Sequence, residues 1–568
     1  MGEKDVKGVE LSADADRGES LNISDQTFHV AVIGAGIAGL GAAYQLKRAA
    51  DAGHKISYSV YESDARVGGQ LWTDRPTLPC GGTAIADGGS DSYLSRKSAS
   101  MRRVARYMGK EKELIGTDES KKQTFIVKKG KLVPLPDGIM MFAPTKILPM
   151  ATTKLYSWPA KFRMALDIIM PRKKRNPDED ESIGSLVRRR LGNECYQRLA
   201  EPLTGGINGS DPDTMSTLGT YPMLLEMEEK HGSLILGFLA QRKMIEKMKK
   251  KQASKGGGPR RPAATFFSSA KQGLDDYTNA MAEALGSDHI HLNAPVHAIE
   301  QKPEGGYVLR FRDESGADII RYSGLRYDEA GNPLHLHGDE SAAREGSKKR
   351  AEKSVEADAV IIAAPAWVAG ELLADLSPEA SELLLDIPHS SCATVITAWN
   401  EEDAPFNKDW HGILAPGIEK QAVTGISLMS SKWAGRAPDG SILIRGFVGG
   451  ARDDRTHNLP DDELVELCRK TYIKLLGMKE GAQPSYAKVF RFPRAMPQYL
   501  VGHNDRMQAL DGYMKDLQGL GLGGAAYTGV GVPNCMESGE AAAQKIMREA
   551  GIDYADPQEK PAGPGGPR

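Results

Sequence analysis

The chain has 568 residues, with 73 Lys and Arg against 75 Asp and Glu for a net charge of −2. It is too long for one hydrophobic core, and its balanced charge excludes a global field that would draw it to nucleic acid. The cysteines Cys80, Cys195, Cys392, Cys468 and Cys535 form no C-x-x-C pair, which argues against a zinc site or a disulfide framework, so no metal is expected and a reducing, cytoplasmic setting fits.

In chain order, residues 1–27 are polar and acidic, without the apolar core of a secretory signal, and are expected to form a disordered arm. FHVAVI (28–33) is the apolar run of a buried parallel strand. Gly34, Gly36 and Gly39 follow at once and lead into a helix. Gly34 permits the turn, Gly36 lets backbone approach a pyrophosphate, and Gly39 lets the helix pack on the strand, with the first N–H groups, at Ile37 and Ala38, aimed at phosphate. A second strand, ISYSVYE, ends at Glu62, near the offset expected of a carboxylate that accepts ribose hydroxyls. This pattern predicts a dinucleotide and does not separate NAD from FAD. Two further glycine turns come next, one holding Ser63, Arg66, Gly68 and Gly69, the other Asp87, Gly88, Gly89 and Ser90.

Here a resemblance becomes specific. Glu62, Arg66 and Gly68-Gly69 resemble the flavin-binding entry, E-x-x-x-R-x-G-G, of the amine oxidase and protoporphyrinogen oxidase superfamily. Later segments fit the same domain: IHLNAPVHAIE (290–300) is similar to the strand whose valine, here Val296, packs on the adenine side. ADAVIIAAPAW (357–367) brings Ala364 to a strand end, and LGLGGAAYTGVGVPNCMESGEAAAQKI (520–546) carries Gly524, Val530, Gly531 and Val532 into a helix whose N-terminus could face the electron-rich edge of a reduced flavin. RRLGNECYQRLAEPLTGGINGSDPDTMS (189–216), SSKWAGRAPDGSILIRGFVGG (430–450) and AMPQYLVGH (495–503) narrow the resemblance to protoporphyrinogen/coproporphyrinogen oxidases of the soluble bacterial kind, over nearly all of 28–549. Where that family has E-x-G-P, this chain keeps the acid and glycine as Asp87-Gly88-Gly89 and loses the proline at Ser90. Residues 241–263 and 313–357 look like insertions.

The resemblance implies an α/β fold with a discontinuous Rossmann-like FAD-binding domain (28–100, 264–300, 355–370, 505–549), a helical domain (105–255) and a mixed β substrate domain (301–354, 371–504), followed by a disordered tail (550–568). It implies FAD as cofactor and a porphyrinogen as substrate, six electrons leaving in three hydride transfers to flavin N5, with oxygen reduced to hydrogen peroxide. It requires no dedicated catalytic base, because the pyrrole proton can pass to solvent. A flat, carboxylate-edged substrate calls for an apolar slot with a cation at one end. Arg96 and Lys97 are expected toward a propionate, and Met496 and Tyr499 along the slot. His503 reads as structural and Cys535 as a buried thiol. The alternatives are an amine oxidase, a carotenoid-type desaturase, or a flavin-binding scaffold without turnover. The basic stretch 242–261 reads as a solvated flexible loop, open to an anionic membrane or a haem-pathway enzyme. The Met-rich segment 138–170 either caps the substrate channel or rests on a membrane surface.

Overall fold

The computed structural model describes residues 27–555, apart from 98, 177, 255–264, 313–319, 323–324, 328–351 and 454. The expected arm (but for residue 27), the tail from 556, most of the 313–357 insertion and residues 255–261 of the basic stretch lie outside the described residues.

A five-stranded sheet carries the nucleotide-binding part, in the order Ile290–His291, Ile56–Tyr61, Phe28–Ile33, Ala359–Ile362, Leu520–Leu522, and every neighbouring pair is parallel. Val30, Ala31 and Val32 are fully buried, as the continuous apolar run requires of a strand covered on both faces. Helix Ile37–Asp51 returns over one face and lies against the C-terminal helix Val532–Glu549. They share one core, where Leu40, Ala43 and Leu46 meet Met536, Ala543 and Ile546. Glycines set their separation: a Cβ on Gly41 would stand 3.2 Å from Met536 Cγ, and one on Gly539 only 1.9 Å from the Ala38 carbonyl oxygen.

A three-stranded antiparallel sheet adjoins this part, made of Val296–Gln301, Tyr307–Arg312 and Glu352–Ala357. The domain boundary expected at 301 falls inside it. Ile299, Tyr307 and Leu309 share a core with Ile33 and Ile362, so 301–312 and 352–354 pack with the nucleotide-binding part instead of the substrate part.

The mixed sheet has seven strands, in the order Tyr486–Pro497, His389–Asn400, Ser441–Gly449, Val423–Leu428, Trp410–Leu414, Gln123–Lys128, Lys131–Pro134. Its last hairpin comes from the stretch expected to be helical. The reason is local: Lys129 and Gly130 both have positive φ, 52° and 71°, the two-residue turn that suits paired strands, and Ile126 and Val127 are fully buried.

Helices fill most of the interval from Ile147 to Ser254. At their centre Arg190 is wholly buried. Its Nε donates to Asp167 Oδ1 at 2.5 Å and its Nη2 to the carbonyls of Asp167 and Gly232, while Asp167 Oδ2 accepts from Ser233 Oγ and Ile235 N. The basic stretch read as a loop is, through residue 254, the end of one 21-residue helix, Leu234–Ser254. Its Lys, Met and Gln residues are good helix formers, and no glycine interrupts them before Gly256. Among the described residues no helix is long and apolar enough to cross a membrane.

Candidate active site

The glycine turns gather at the C-terminal ends of the parallel strands, where open α/β sheets leave a crevice. Gly34 follows the first strand with φ +100°, and the site of its missing Cβ lies 2.7 Å from the Ala363 carbonyl; that of Gly39 lies 1.9 Å from the Gly34 carbonyl. Both positions are filled by protein. Gly36 is different, because a Cβ there would meet nothing within 4 Å. It also starts the helix without a side-chain cap, leaving the N–H groups of Ile37 and Ala38 for an outside acceptor. Glu62, buried beside Ser63, ties the turn to the second strand: its Oε2 accepts from Ala35 N at 2.6 Å and its Oε1 from Asp64 N at 2.9 Å.

The second turn stacks on the first through Gly68 N, which donates to the Ala35 carbonyl, and through Gly69, whose absent Cβ would stand 3.3 Å from Gly36 Cα. Arg66 donates to the carbonyls of Val67, Gly69 and Leu71 and lies over the Trp72 ring, so in this state it locks its own turn. The third turn stacks on the second, since a Cβ on Gly89 would fall 1.8 Å from the Gln70 carbonyl. Gly524 lies against the Ala364 carbonyl, and Val530 and Gly531 lead into the C-terminal helix at Val532, again without a side-chain cap. Val296 follows shortly after Ala294, whose N–H donates to the Glu62 carbonyl. The structure thus brings the expected cofactor residues from both chain ends to one crevice.

The expected substrate residues are placed less uniformly. Met496 is half-buried, beside Gly209 of the helical part, and the neighbouring Ala495 carbonyl accepts from Gln70 of the second turn at 2.8 Å. Tyr499 is buried, and its hydroxyl donates to the Ala525 carbonyl at 2.6 Å; it braces the C-terminal glycine segment from behind rather than facing an open slot. Arg96 is exposed, and the side chain of Lys97 lies outside the described residues. Sequence reasoning missed Arg494. Between Ser390↔Met496 and Cys392↔Phe492 the strand register slips, and Arg494 sits there with φ 44°, its guanidinium 4.2 Å over the Trp367 ring. A bulge with a left-handed non-glycine residue commonly marks a functional edge, and the prolines at 493 and 497 were its visible signal.

The family described as flavin containing amine oxidoreductase matches residues 37–547. The chain belongs to that family. A Staphylococcus aureus relative named coproporphyrinogen III oxidase is 30% identical over 525 residues, covering 92% of this chain and 100% of the relative. A Nicotiana tabacum relative named protoporphyrinogen oxidase, chloroplastic, is 26% identical over 91% of this chain and 84% of its own. A solved structure from Exiguobacterium sp. 255-15 superposes with a TM-score of 0.72 at 27% identity, over 92% of this chain and 99% of that one. The cofactor of this flavin amine oxidoreductase is FAD, and the crevice fits it: two uncapped helix starts and an open glycine face suit a diphosphate. Gly36→Ala should therefore leave the melting temperature of the apoprotein unchanged while weakening FAD at least tenfold, about 1.4 kcal/mol; fluorescence titration of apoprotein with FAD checks it.

Beneath the third turn this flavin amine oxidoreductase holds a charge network that sequence reasoning also missed. Asp87, 1% exposed, accepts from Thr73 Oγ1 and Leu274 N and lies 2.9 Å from Arg436 Nη2. Asp91 accepts from Lys432 Nζ at 2.9 Å and Trp433 Nε1 at 3.1 Å, with Arg445 3.6 Å away. Burial alone would raise the pKa of Asp91; Lys432 and Arg445 hold it far below the usual carboxylate range instead.

His503 stacks on Tyr499 with ring centroids 3.9 Å apart, and burial pushes its pKa down to about 4. Below the ordinary value of about 6.5 the unfolded chain takes up a proton that the folded imidazole refuses. Stability should be full above pH 6.5 and fall as pH drops toward 4, with His503 contributing about 1.4 kcal/mol per pH unit. Urea melts across that window should show the slope, and His503→Phe should reduce it by that amount, the share of His389, which burial also pushes down to about 4, remaining.

Proposed function

We propose that the protein oxidises a porphyrinogen, coproporphyrinogen III in the first instance, to the porphyrin in late haem biosynthesis. One observation carries the reading: the likeness to a relative named for that substrate runs the whole length of the relative at 30% identity, against 26% for the one named for protoporphyrinogen. Bound FAD would supply a two-electron acceptor reoxidised by oxygen to hydrogen peroxide, so that the six-electron oxidation would take three turnovers. The residues proposed to hold it are those of the glycine turns, with Glu62 toward the ribose and the two helix starts toward the diphosphate. Met496, between the second turn and Gly209, is proposed to support the macrocycle face, with Arg96 and Lys97 toward its propionates. Tyr499 acts indirectly, by fixing the Ala525 carbonyl. Solvent takes the pyrrole proton, and no side chain is assigned as base.

Coproporphyrinogen III and protoporphyrinogen IX, offered separately in air, should give porphyrin fluorescence faster with the former, above a heat-killed control, with peroxide formed alongside. No rate above the control with either, in protein that retains FAD, overturns the reading.

The helical part is further proposed to rest on a membrane surface. Ile147, Leu148, Trp158, Phe162 and Ile169 are all more than 60% exposed, an apolar face interleaved with Lys146, Lys154 and Lys161 of the kind that partitions into an anionic interface. Sedimentation with phosphatidylglycerol vesicles should carry the protein down and Phe162→Ser should release it; equal recovery of both in the supernatant sinks this placement.

A further inference from the structure

The third glycine turn has its carbonyls and its N–H groups on opposite sides. Arg445, 5% exposed on strand Ser441–Gly449, donates from Nη1 to the Asp87 carbonyl at 2.9 Å and to the Gly89 carbonyl at 2.7 Å. Thr394, on the neighbouring strand His389–Asn400, donates from Oγ1 to the Gly88 carbonyl between them at 2.6 Å. Three consecutive carbonyls are thereby drawn toward the mixed sheet. A trans peptide points its N–H opposite to its C=O, so the N–H groups of Gly89 and Ser90 face away from that sheet. Among the described residues neither has an acceptor, whereas Gly88 N has the Trp72 carbonyl. Gly89 also abuts the second turn, which lines the crevice: a Cβ on it would fall 1.8 Å from the Gln70 carbonyl.

The same place carries an excess of buried positive charge. Lys432, Arg436 and Arg445 stand against only Asp87 and Asp91, and the Arg445 Nε is buried without a partner. A buried charge acts on its surroundings far more strongly than one in water.

The geometry points to Arg445 as a positioning residue for the flavin: it turns the Ser90 N–H toward the ring, as Thr394 turns that of Gly89, and it adds to the excess of buried positive charge behind them, raising the reduction potential of the bound cofactor. A two-electron flavin gains negative charge on reduction, so donors and a cation fixed nearby favour the reduced form. This holds whichever substrate is oxidised, because it concerns the FAD the family carries and not the porphyrinogen.

The test uses holoprotein without substrate. In Arg445→Gln the midpoint potential of bound FAD, read by dye equilibration, should fall by about 30 mV, a tenfold change in the oxidised-to-reduced ratio for a two-electron couple. Sulfite, which adds to oxidised flavin and leaves negative charge on the ring, should bind about tenfold more weakly. Arg445→Lys, which keeps the charge, should recover most of both. An unchanged potential in Arg445→Gln, or an equal fall in Arg445→Lys, overturns the proposal. Should Arg445→Gln fail to hold FAD, Thr394→Val releases the Gly88 carbonyl with every charge in place: a sulfite dissociation constant raised several-fold supports the assignment, and an unaltered one overturns it. Porphyrin formation enters none of these readings, so failure here and failure of the substrate assignment are separable.

Discussion

Gly539→Ala should lower stability by about 3 kcal/mol, the upper end of what overpacking a core costs, and should strip the protein of FAD. The new methyl carbon would lie 1.9 Å from the Ala38 carbonyl oxygen and 2.7 Å from its carbon. Both atoms are backbone, so no rotamer change relieves the overlap, and one helix must move off the other. Ala38 is in the first turn of the dinucleotide helix, so the movement carries the phosphate-facing N–H groups with it. Since loss of a ligand lowers melting by itself, the comparison belongs between apoproteins. Gly539→Ala should melt well below wild type there, whereas Gly36→Ala should melt with it and differ only in FAD affinity. A Gly539→Ala protein that melts normally and stays yellow would mean that the two helices do not approach as closely as described.

Asp167→Ala should cost about 3–5 kcal/mol, the range for breaking a buried pair by removing one partner. Arg190 would keep its charge at zero exposure, with Glu228, 3.4 Å from its Nη1, as its remaining carboxylate contact, while Ser233 Oγ and Ile235 N lose their acceptor. Removing the cation alone, in Arg190→Met, strands the carboxylate in turn. The double variant Asp167→Leu with Arg190→Met should sit nearer to wild type than either single change, because an apolar pair of similar volume needs no charge partner. Chemical denaturation of wild type, Asp167→Leu, Arg190→Met and the double variant gives the cycle, and a double variant as unstable as the sum of those singles would show that the pair is not the unit.

Much of the nucleotide site was legible from the residues because its requirements are local. A strand, a glycine turn and a helix are contiguous in sequence, and Glu62 stands at a fixed distance along the chain. The two insertions and the boundary at 301 were harder, because strand pairing between 296–301, 307–312 and 352–357 joins segments separated by about 40 residues of unpatterned chain. The hairpin at 123–134 was overlooked although Lys129-Gly130 is a two-residue turn flanked by the apolar runs FIV (125–127) and LV (132–133), because the resemblance implied one helical domain over 105–255. The charge network could not be paired from sequence. Asp87 and Asp91 stand near position 90, and Lys432, Arg436 and Arg445 near 440. What could have been noticed is a single arginine inside SILIRGFVG, since a charge in a buried strand requires a partner somewhere.

The strand order has a consequence in time. The edge strand Leu520–Leu522 and the helix Val532–Glu549 complete a layer begun at Phe28, so the two glycines that let the helices touch, Gly41 and Gly539, leave the ribosome about 500 residues apart. At roughly 5–20 residues per second, the first turn waits some tens of seconds for its second wall. Throughout that wait the nascent chain has half a nucleotide pocket and an uncovered apolar helix face. Cofactor loading is therefore an event of the finished chain, and a nonsense mutation even 30 residues from the end should leave a product that never turns yellow.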